Sequence, residues 1–474
     1  MQVKPHITVL DDQQLTKIHE DSLRVLSQTG VRVDSSVARQ IMLSTEGITL
    51  RGDHVHISAE VVDWAIQQAP SGIDVFKRGG EPGFRIGEGQ KDGPIYGIGV
   101  TNSWYQDPEN DELTPFVREH TRQATALGNT LDQFDLVSTP GVIQGDESDL
   151  GEMIASLEMI ANTSKPIVLL CSDTAQFKAT LLMFTELCGD LSKTPFILPY
   201  FNPITPLVLN QDTTDKMVTS IEYGLPLIFS SYGMSGATAP IGAEGTLILL
   251  NAELLAGLVF AQLVKPGTPV VLGSLPSLFE MQNMFSAYTA QTMLVNLACA
   301  ELMDHYRIPH AGTSGSGTGW GSDLLASGTL WMNHLTSSMG KVGLAPFVGG
   351  NFDSQAFSPT TVVYANEVIR QVRQLASGFR LDTTSATLEE INSSGPGGSF
   401  LTAPGTLAQF RDLHEQHSQI WPGYTINQWL SEGSPDGLSI LRTQTSNLME
   451  NLKVPEDHDV LISKGEAFML DFSA

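Results

Sequence analysis

Aromatic rings, amides and acids, rather than lysines or arginines, close the short apolar runs of this 474-residue chain. Tyr96, Trp104, Phe201, Asn202, Tyr232, Ser274, His310, Asn351 and Phe352 stand at or just beyond the ends of such runs. So do GVIQGDE (141–147) and Ser172–Asp173. Ring faces with few cations around them suit a quaternary ammonium ligand, held by cation–π attraction. The candidate rings are Tyr96, Trp104, Phe201, Tyr232, Trp320 and Phe352, and Glu147 could add a negative charge nearby. A carboxylate on the same ligand would want donors, and His310, Asn202 and Asn351 are the candidates. Each ring could equally serve packing, Glu147 could be a solvated loop acid, and His310 a satisfied core histidine.

Other chemistries find no footing. The stretch HAGTSGSGTGWGSD (310–323) is glycine-rich, but its alternating glycines break the G-x-G-x-x-G fingerprint at Trp320, and no G-K-[ST] follows. No Cys/His cluster has metal-ligand spacing, and neither H-E-x-x-H nor G-x-S-x-G occurs. No apolar run ends in a lysine, as a Schiff-base aldolase would want, and a sugar phosphate would lack basic anchors. The expectation is a protein with no tightly bound metal or organic cofactor of its own.

The elements that must position these residues repeat. KPIVLLC (165–171), TPFILPY (194–200), LPLIFSS (225–231), TPVVLGS (268–274), IPHAGT (308–313) and APFVGG (345–350) each open on a proline and continue mostly apolar. Proline is tolerated as the first residue of a strand, and runs apolar throughout suit parallel strands buried on both faces. FDLVST (134–139) and PIYGIGV (94–100) precede the series at compatible spacing, giving eight strand candidates. Helical segments lie between them, GTLILLNAELLAGLVFAQLVKPG and SDLLASGTLWMNHLTSSMGKVG among them, the second capped by Ser322 and closed by Gly343. Alternating β and α in this manner predicts an α/β fold, a (β/α)8 TIM barrel over 91–380. A doubly wound open sheet is the alternative, weakened by the missing nucleotide fingerprint. The flanks, 1–90 and 381–474, read as helical extensions packed on the barrel, with helices over 11–30 and 58–70. In such a barrel the active site lies at the C-terminal ends of the strands, where the residues named above fall. The glycines of 310–323 would let the backbone curl around a ligand there.

Composition bounds the partners. Asp plus Glu outnumber Lys plus Arg by 52 to 26, a formal net charge of −26, which disfavours nucleic acid as a partner. Three scattered cysteines give no disulfide framework, and the amino-terminal stretch has no signal-peptide pattern, so a cytoplasmic location is expected. The most apolar stretch, 247–264, contains Asn251, Glu253 and Gln262, so it reads as a buried helix rather than a membrane span.

Four stretches carry a family resemblance: LTKIHEDSLRVLSQTGVRV, ANTSKPIVLL, GATAPIGAEGTLILLNAELLAGLVFAQLVKPGTPVVLGS and SGPGGSFLTAPGTLAQFR. They resemble the trimethylamine methyltransferase family, in particular its members without pyrrolysine, the glycine betaine enzymes closest among them. The resemblance implies a TIM barrel that moves a methyl group from an amine to cobalt, with cob(I)alamin supplied by a separate corrinoid protein. It places pyrrolysine in or near the 310–323 loop, where this chain has only ordinary residues. A quaternary ammonium already carries the charge that makes a neutral amine leave, so it needs alignment and desolvation more than acid catalysis. The substrate expectation is therefore glycine betaine, with proline betaine, carnitine or another methylated amine as alternatives. A homo-oligomer is possible. Two rival functions stay open, a TIM-barrel lyase or aldolase and a non-catalytic betaine-binding protein. Ser399 and Gly405 depart from the family, which often has histidine near both positions.

Overall fold

The computed structural model describes residues 2–91, 93–145, 148–313, 317–381, 385–414 and 418–473. Eight parallel strands close a barrel: β1 Ile95–Ile98, β2 Leu136–Ser138, β3 Ile167–Leu169, β4 Ile197–Phe201, β5 Leu227–Ser231, β6 Val270–Ser274, β7 His310–Gly312 and β8 Leu344–Val348. Six lie within the runs read from the sequence, and β4 and β8 overlap theirs, each reaching one residue beyond, to Phe201 and Leu344. One helix follows each strand in turn: α1 Arg118–Thr130, α2 Gly151–Asn162, α3 Thr174–Cys188, α4 Gln211–Glu222, α5 Ala243–Val264, α6 Ala290–Tyr306, α7 Leu324–Met339 and α8 Pro359–Ser377.

Alternation along the strands sorts the side chains into two layers. Ile95, Leu136, Val168, Leu198, Ile228, Val271, Ala311 and Leu344 fill the interior. Their neighbours, such as Ile98, Val137, Ile197, Phe229 and Leu272, pack outward with the helices. A hairpin, Gly72–Phe76 with Pro82–Gly87, stoppers the N-terminal end of the barrel by adding Ile73, Val75 and Ile86 to the inner cluster. Among the described residues, the C-terminal mouth is the end of the barrel left unstoppered.

The flanking helices form where expected, but the N-terminal region is not purely helical. Asp12–Arg24 begins at an Asp11–Gln14 capping box, continues as a π turn and stops at Gly30, whose φ of 74° suits glycine. Ala59–Gln68 follows. Between them, Val31–Val33, Ile48–Arg51 and His54–Ile57 build a sheet with Val208–Leu209. The short turn at Gly52–Asp53, between alternating runs, was the overlooked hairpin signal. Helix α7 is capped by Asp323, whose carboxylate accepts from the Ala326 amide, not by Ser322, and it ends at Gly340 rather than Gly343.

Helix α5 is long and apolar enough to cross a membrane, yet 83% of its most apolar window is buried in the fold. The Asn251 and Gln262 amide groups find acceptors there. Asn251 donates to Ser22 and Tyr306 at 2.9 and 3.0 Å, and Gln262 donates to the Thr268 carbonyl at 2.9 Å. Beyond α8 the chain is helical: α9 Ser385–Ser394, α10 Pro404–His414, α11 Ile426–Ser431, α12 Gly437–Glu450 and α13 His458–Ser473.

Candidate functional site at the barrel mouth

Inward parity carries past the interior layer into the mouth. Leu198 faces inward, so Tyr200 and Asn202 do as well, and the Tyr200 ring meets Phe347 of β8 edge-on at 5.0 Å. From the loop after β5, the Tyr232 hydroxyl donates to Ser286 Oγ at 2.9 Å. Ser286 in turn donates to one oxygen of Asp353. Tyr288 completes the group: its hydroxyl is pushed well above the ordinary phenol value by burial first, then by Asp353, Tyr232 and Tyr200. Three phenols and a carboxylate thus share one end of the barrel.

An unusual backbone holds Asp353. Phe352, Asp353 and Ser354 are consecutive left-handed residues, with φ of 50°, 56° and 68°. Each such residue costs on the order of 1 kcal/mol, so the surroundings must over-determine the turn. The glycine-rich loop does this: the Phe352 and Asp353 amides donate to the Gly319 and Gly317 carbonyls at 2.8 and 3.1 Å. Glycines are needed there because backbone meets backbone, and a Cβ on Gly319 would lie 2.5 Å from the Ala326 side chain. The described part of that loop therefore braces an acid-bearing turn.

The acid is poised rather than satisfied. Asp353 Oδ1 is buried and has no hydrogen-bond partner among the described residues. Burial raises the Asp353 pKa, and the Ser286 bond only partly opposes that. Tyr200 is similar. Its hydroxyl is pushed up to about 12 by burial, and Ser230 and Asn202 lie near enough to temper the shift without a well-formed hydrogen bond.

A cavity of about 680 Å3 extends from Tyr200 across the ends of β1 to β4, lined by Thr101, Thr139, Leu170, Asn202 and Lys216 among others. Its charges are mostly committed. Lys216 Nζ donates to the Cys171 and Ser172 carbonyls at 2.8 and 2.7 Å, and burial lowers its pKa. Glu152 accepts from the Ser172 and Asp173 amides at 2.7 and 3.0 Å and from Cys171 Sγ at 2.8 Å. Burial and then Glu152 push the Cys171 thiol far up, so it is no thiolate nucleophile. Among the described residues no group of three or more His, Cys, Asp and Glu is placed to hold a metal ion.

The residues chosen from sequence scatter. Tyr232 and Asn202 sit at the mouth, Asn202 donating to the Ser230 carbonyl at 2.8 Å. Phe352 lies within the strained turn. Tyr96 points outward, its hydroxyl 2.8 Å from Ser338 and its ring edge-on to His334 at 5.3 Å, with the Arg373 guanidinium 5.3 Å away. Phe201 also points outward, onto Phe177 at 5.8 Å. His310 opens β7 and faces α6, close to Asn296; burial drives its pKa down to about 3, so it stays neutral. Asn351 is buried against Gln106 and Thr361, donating at 2.7 and 3.1 Å. Trp104 is half-exposed on an outer ribbon, and Trp320 lines a separate cavity with Tyr364 and Trp421. Glu147 lies outside the described residues. Sequence reading missed Tyr200, Tyr288, Phe347 and Asp353. Strand parity within TPFILPYFN could have separated Tyr200 from Phe201, but nothing local marks Asp353.

A family model described as trimethylamine methyltransferase (MTTB) matches residues 1–464. The chain belongs to this family. Among its relatives, trimethylamine methyltransferase MttB of Desulfitobacterium hafniense is 25% identical over 93% of this chain and 89% of its own. Glycine betaine methyltransferase of the same species is 23% identical over 85% of each chain. Proline betaine:corrinoid methyltransferase of Eubacterium limosum is 24% identical over 91% and 90%. The solved structure of MtmB with hydroxylamine covers 96% of both chains at TM-score 0.50 and 11% identity, a likeness of fold alone. MTTB membership thus makes the chain a methyltransferase, and the barrel mouth is where its fold class does chemistry.

Proposed function

We propose that the protein moves a methyl group from a quaternary amine to Co(I) of a separate corrinoid protein. One observation carries the reading: a buried carboxylate oxygen of Asp353, near Tyr200, Tyr232 and Tyr288, has no hydrogen-bond partner among the described residues. A buried acid left in this way is costly unless a cation completes it. A quaternary ammonium suits the place, since phenol faces attract it and it has no N–H to satisfy. In the transfer, the C–N bond breaks with its electron pair staying on nitrogen, and the methyl carbon bonds to cobalt. A neutral tertiary amine leaves, so no protein acid is required, and the cage supplies alignment and desolvation.

Glycine betaine leads as substrate, because relatives act on glycine betaine and proline betaine. Of the three expected carboxylate readers, Asn202 alone faces the mouth. His310 and Asn351 are turned away from it. The corrinoid cofactor belongs to the partner protein, as the name of the Eubacterium relative implies for that enzyme. A Schiff-base aldolase finds little support, since Lys216 sits on α4 with its amine bonded to two carbonyls.

The test is a panel of methylated amines incubated with free cob(I)alamin while the cobalt spectrum is followed. Methylation should occur with a quaternary amine and stop after one methyl, giving dimethylglycine when glycine betaine is supplied. Sustained methylation from trimethylamine or dimethylglycine defeats the reading. Activity confined to carnitine or proline betaine keeps the mechanism and changes the substrate.

A further inference from the structure

We infer that Lys216, with Asn202 on the same cavity, is the subsite for an anionic group on the substrate, so that the protein selects zwitterionic quaternary amines. The inference rests on the quaternary-amine reading above and adds the other end of the ligand. Lys216 is 5% exposed and lines the cavity that runs from Tyr200 across the ends of β1 to β4. Its ammonium has three N–H donors. Two go to the Cys171 and Ser172 carbonyls just past β3, and the third has no acceptor among the described residues. Nor does any carboxylate among the described residues form an ion pair with it.

The acids around the lysine are engaged elsewhere. Glu152 is taken up by the Ser172 and Asp173 amides, the Ser172 hydroxyl and the Cys171 thiol. Asp173 caps α3, accepting from the Gln176 amide at 2.7 Å, and Asp212 is exposed in the first turn of α4. Burial lowers the Lys216 pKa, and these acids oppose the shift. Two neutral carbonyls could be held by a glutamine amide without burying a charge. A buried ammonium with a donor left over is costly unless an anion completes it.

Asn202 ties this subsite to the phenols. Its carbonyl accepts from the Thr213 hydroxyl at 2.8 Å, about one turn before Lys216 on α4. Tyr200, two residues earlier on β4, lines the same cavity and adjoins Tyr288, which in turn adjoins Asp353. The mouth is thus complementary to one dipolar molecule. Its quaternary ammonium meets the phenols and Asp353, and a carboxylate on the same skeleton accepts from Lys216 in a charge-assisted hydrogen bond. Choline or tetramethylammonium would answer the acid and leave the lysine unmet.

Calorimetric titration of the full chain, without cobalamin, tests this. The probes are tetramethylammonium, which reads the cation end alone, and two betaines of different length, glycine betaine and γ-butyrobetaine, each paired with its methyl ester. An ester keeps the skeleton and removes the negative charge. The unaltered protein should bind at least one betaine about 30-fold or more tightly than its ester, a comparison that needs no variant. Lys216→Met should erase that advantage while tetramethylammonium affinity stays within about threefold. A folding defect in the variant would instead weaken all the probes alike. Tetramethylammonium binding with no preference for either betaine over its ester overturns the inference and leaves the quaternary-amine reading standing. A preference that survives Lys216→Met overturns the assignment to this lysine. Failure of every probe to bind overturns both.

Discussion

Two carboxylates, one on each side of the barrel wall, show how the same group is used for two ends. Glu253 sits in the outer layer, where α5 meets β5, and Asp353 sits at the mouth. Burial raises the pKa of both. Glu253 accepts from Ser231, from Thr205 at 2.9 Å and from the Leu207 amide at 2.6 Å, so both its oxygens are committed. Asp353 has one oxygen bonded to Ser286 and the other without a partner among the described residues. Saturation makes the first a structural clamp. Incompleteness, maintained by a strained turn, makes the second a socket.

The sharpest way to break this contrast is to remove each acid. Glu253→Ala should lower stability by about 3 kcal/mol or more, because three donors lose their acceptor, while affinity per folded molecule holds. Thermal unfolding together with ligand titration checks both halves. Asp353→Asn should do the reverse, weakening quaternary-amine binding about 100-fold, or ~2.7 kcal/mol, while the thermal midpoint holds or rises. If Asp353→Asn unfolds the protein and spares affinity, the two acids have been assigned the wrong way round.

The rings extend the comparison with smaller effects. Tyr288→Leu and Tyr232→Leu should each lose ~0.5–2 kcal/mol of binding to a quaternary amine, and less to its neutral carbon isostere. Tyr96→Leu should cost stability and leave that ratio unchanged, since its ring serves α7 and Arg373. Calorimetry with the paired ligands separates the cases, and equal losses for both ligands at Tyr288 would reduce it to packing.

Acidity should move the two ends of the contrast differently. A proton and an ammonium compete for Asp353, so affinity is full above its raised pKa and declines as pH falls through it. Stability runs the other way. The folded chain binds that proton more tightly than the unfolded chain, so protonation relieves a cost present at neutral pH. Asp353→Asn should therefore flatten the affinity profile below neutrality, which titrations across pH 4–8 would detect. The smallest effect is expected at His310. With a pKa near 3 it stays neutral over that range, so His310→Gln should change neither the pH profile nor the preference between glycine betaine and choline. A shift in that preference would return the histidine to the site.

Most of the fold could be read from the sequence, because its cause is local and repeated. A proline opens six of the runs, each run is mostly apolar, and a helix-length segment follows; parallel strands buried on both faces favour that pattern. The N-terminal sheet escaped because its hairpin signal at Gly52–Asp53 is brief and lies between two clear helices. The general place of the site followed from fold class alone, and the abundance of rings near strand ends was visible as well.

Which ring enters the barrel was not visible. A one-residue step along a strand exchanges inside for outside, so Tyr200 and Phe201 trade places on parity that only barrel closure fixes. By the same rule Tyr96 and His310 went to the helix layer. Asp353 depended on more distant facts. Its direction is set by three left-handed residues that few sequences tolerate, braced by a loop more than thirty residues upstream. Composition and periodicity determined that a barrel forms and that no strand run ends in a lysine or arginine. Only the tertiary structure decided which carboxylate is left bare, because hydrogen-bond satisfaction belongs to the finished packing and not to any stretch of chain.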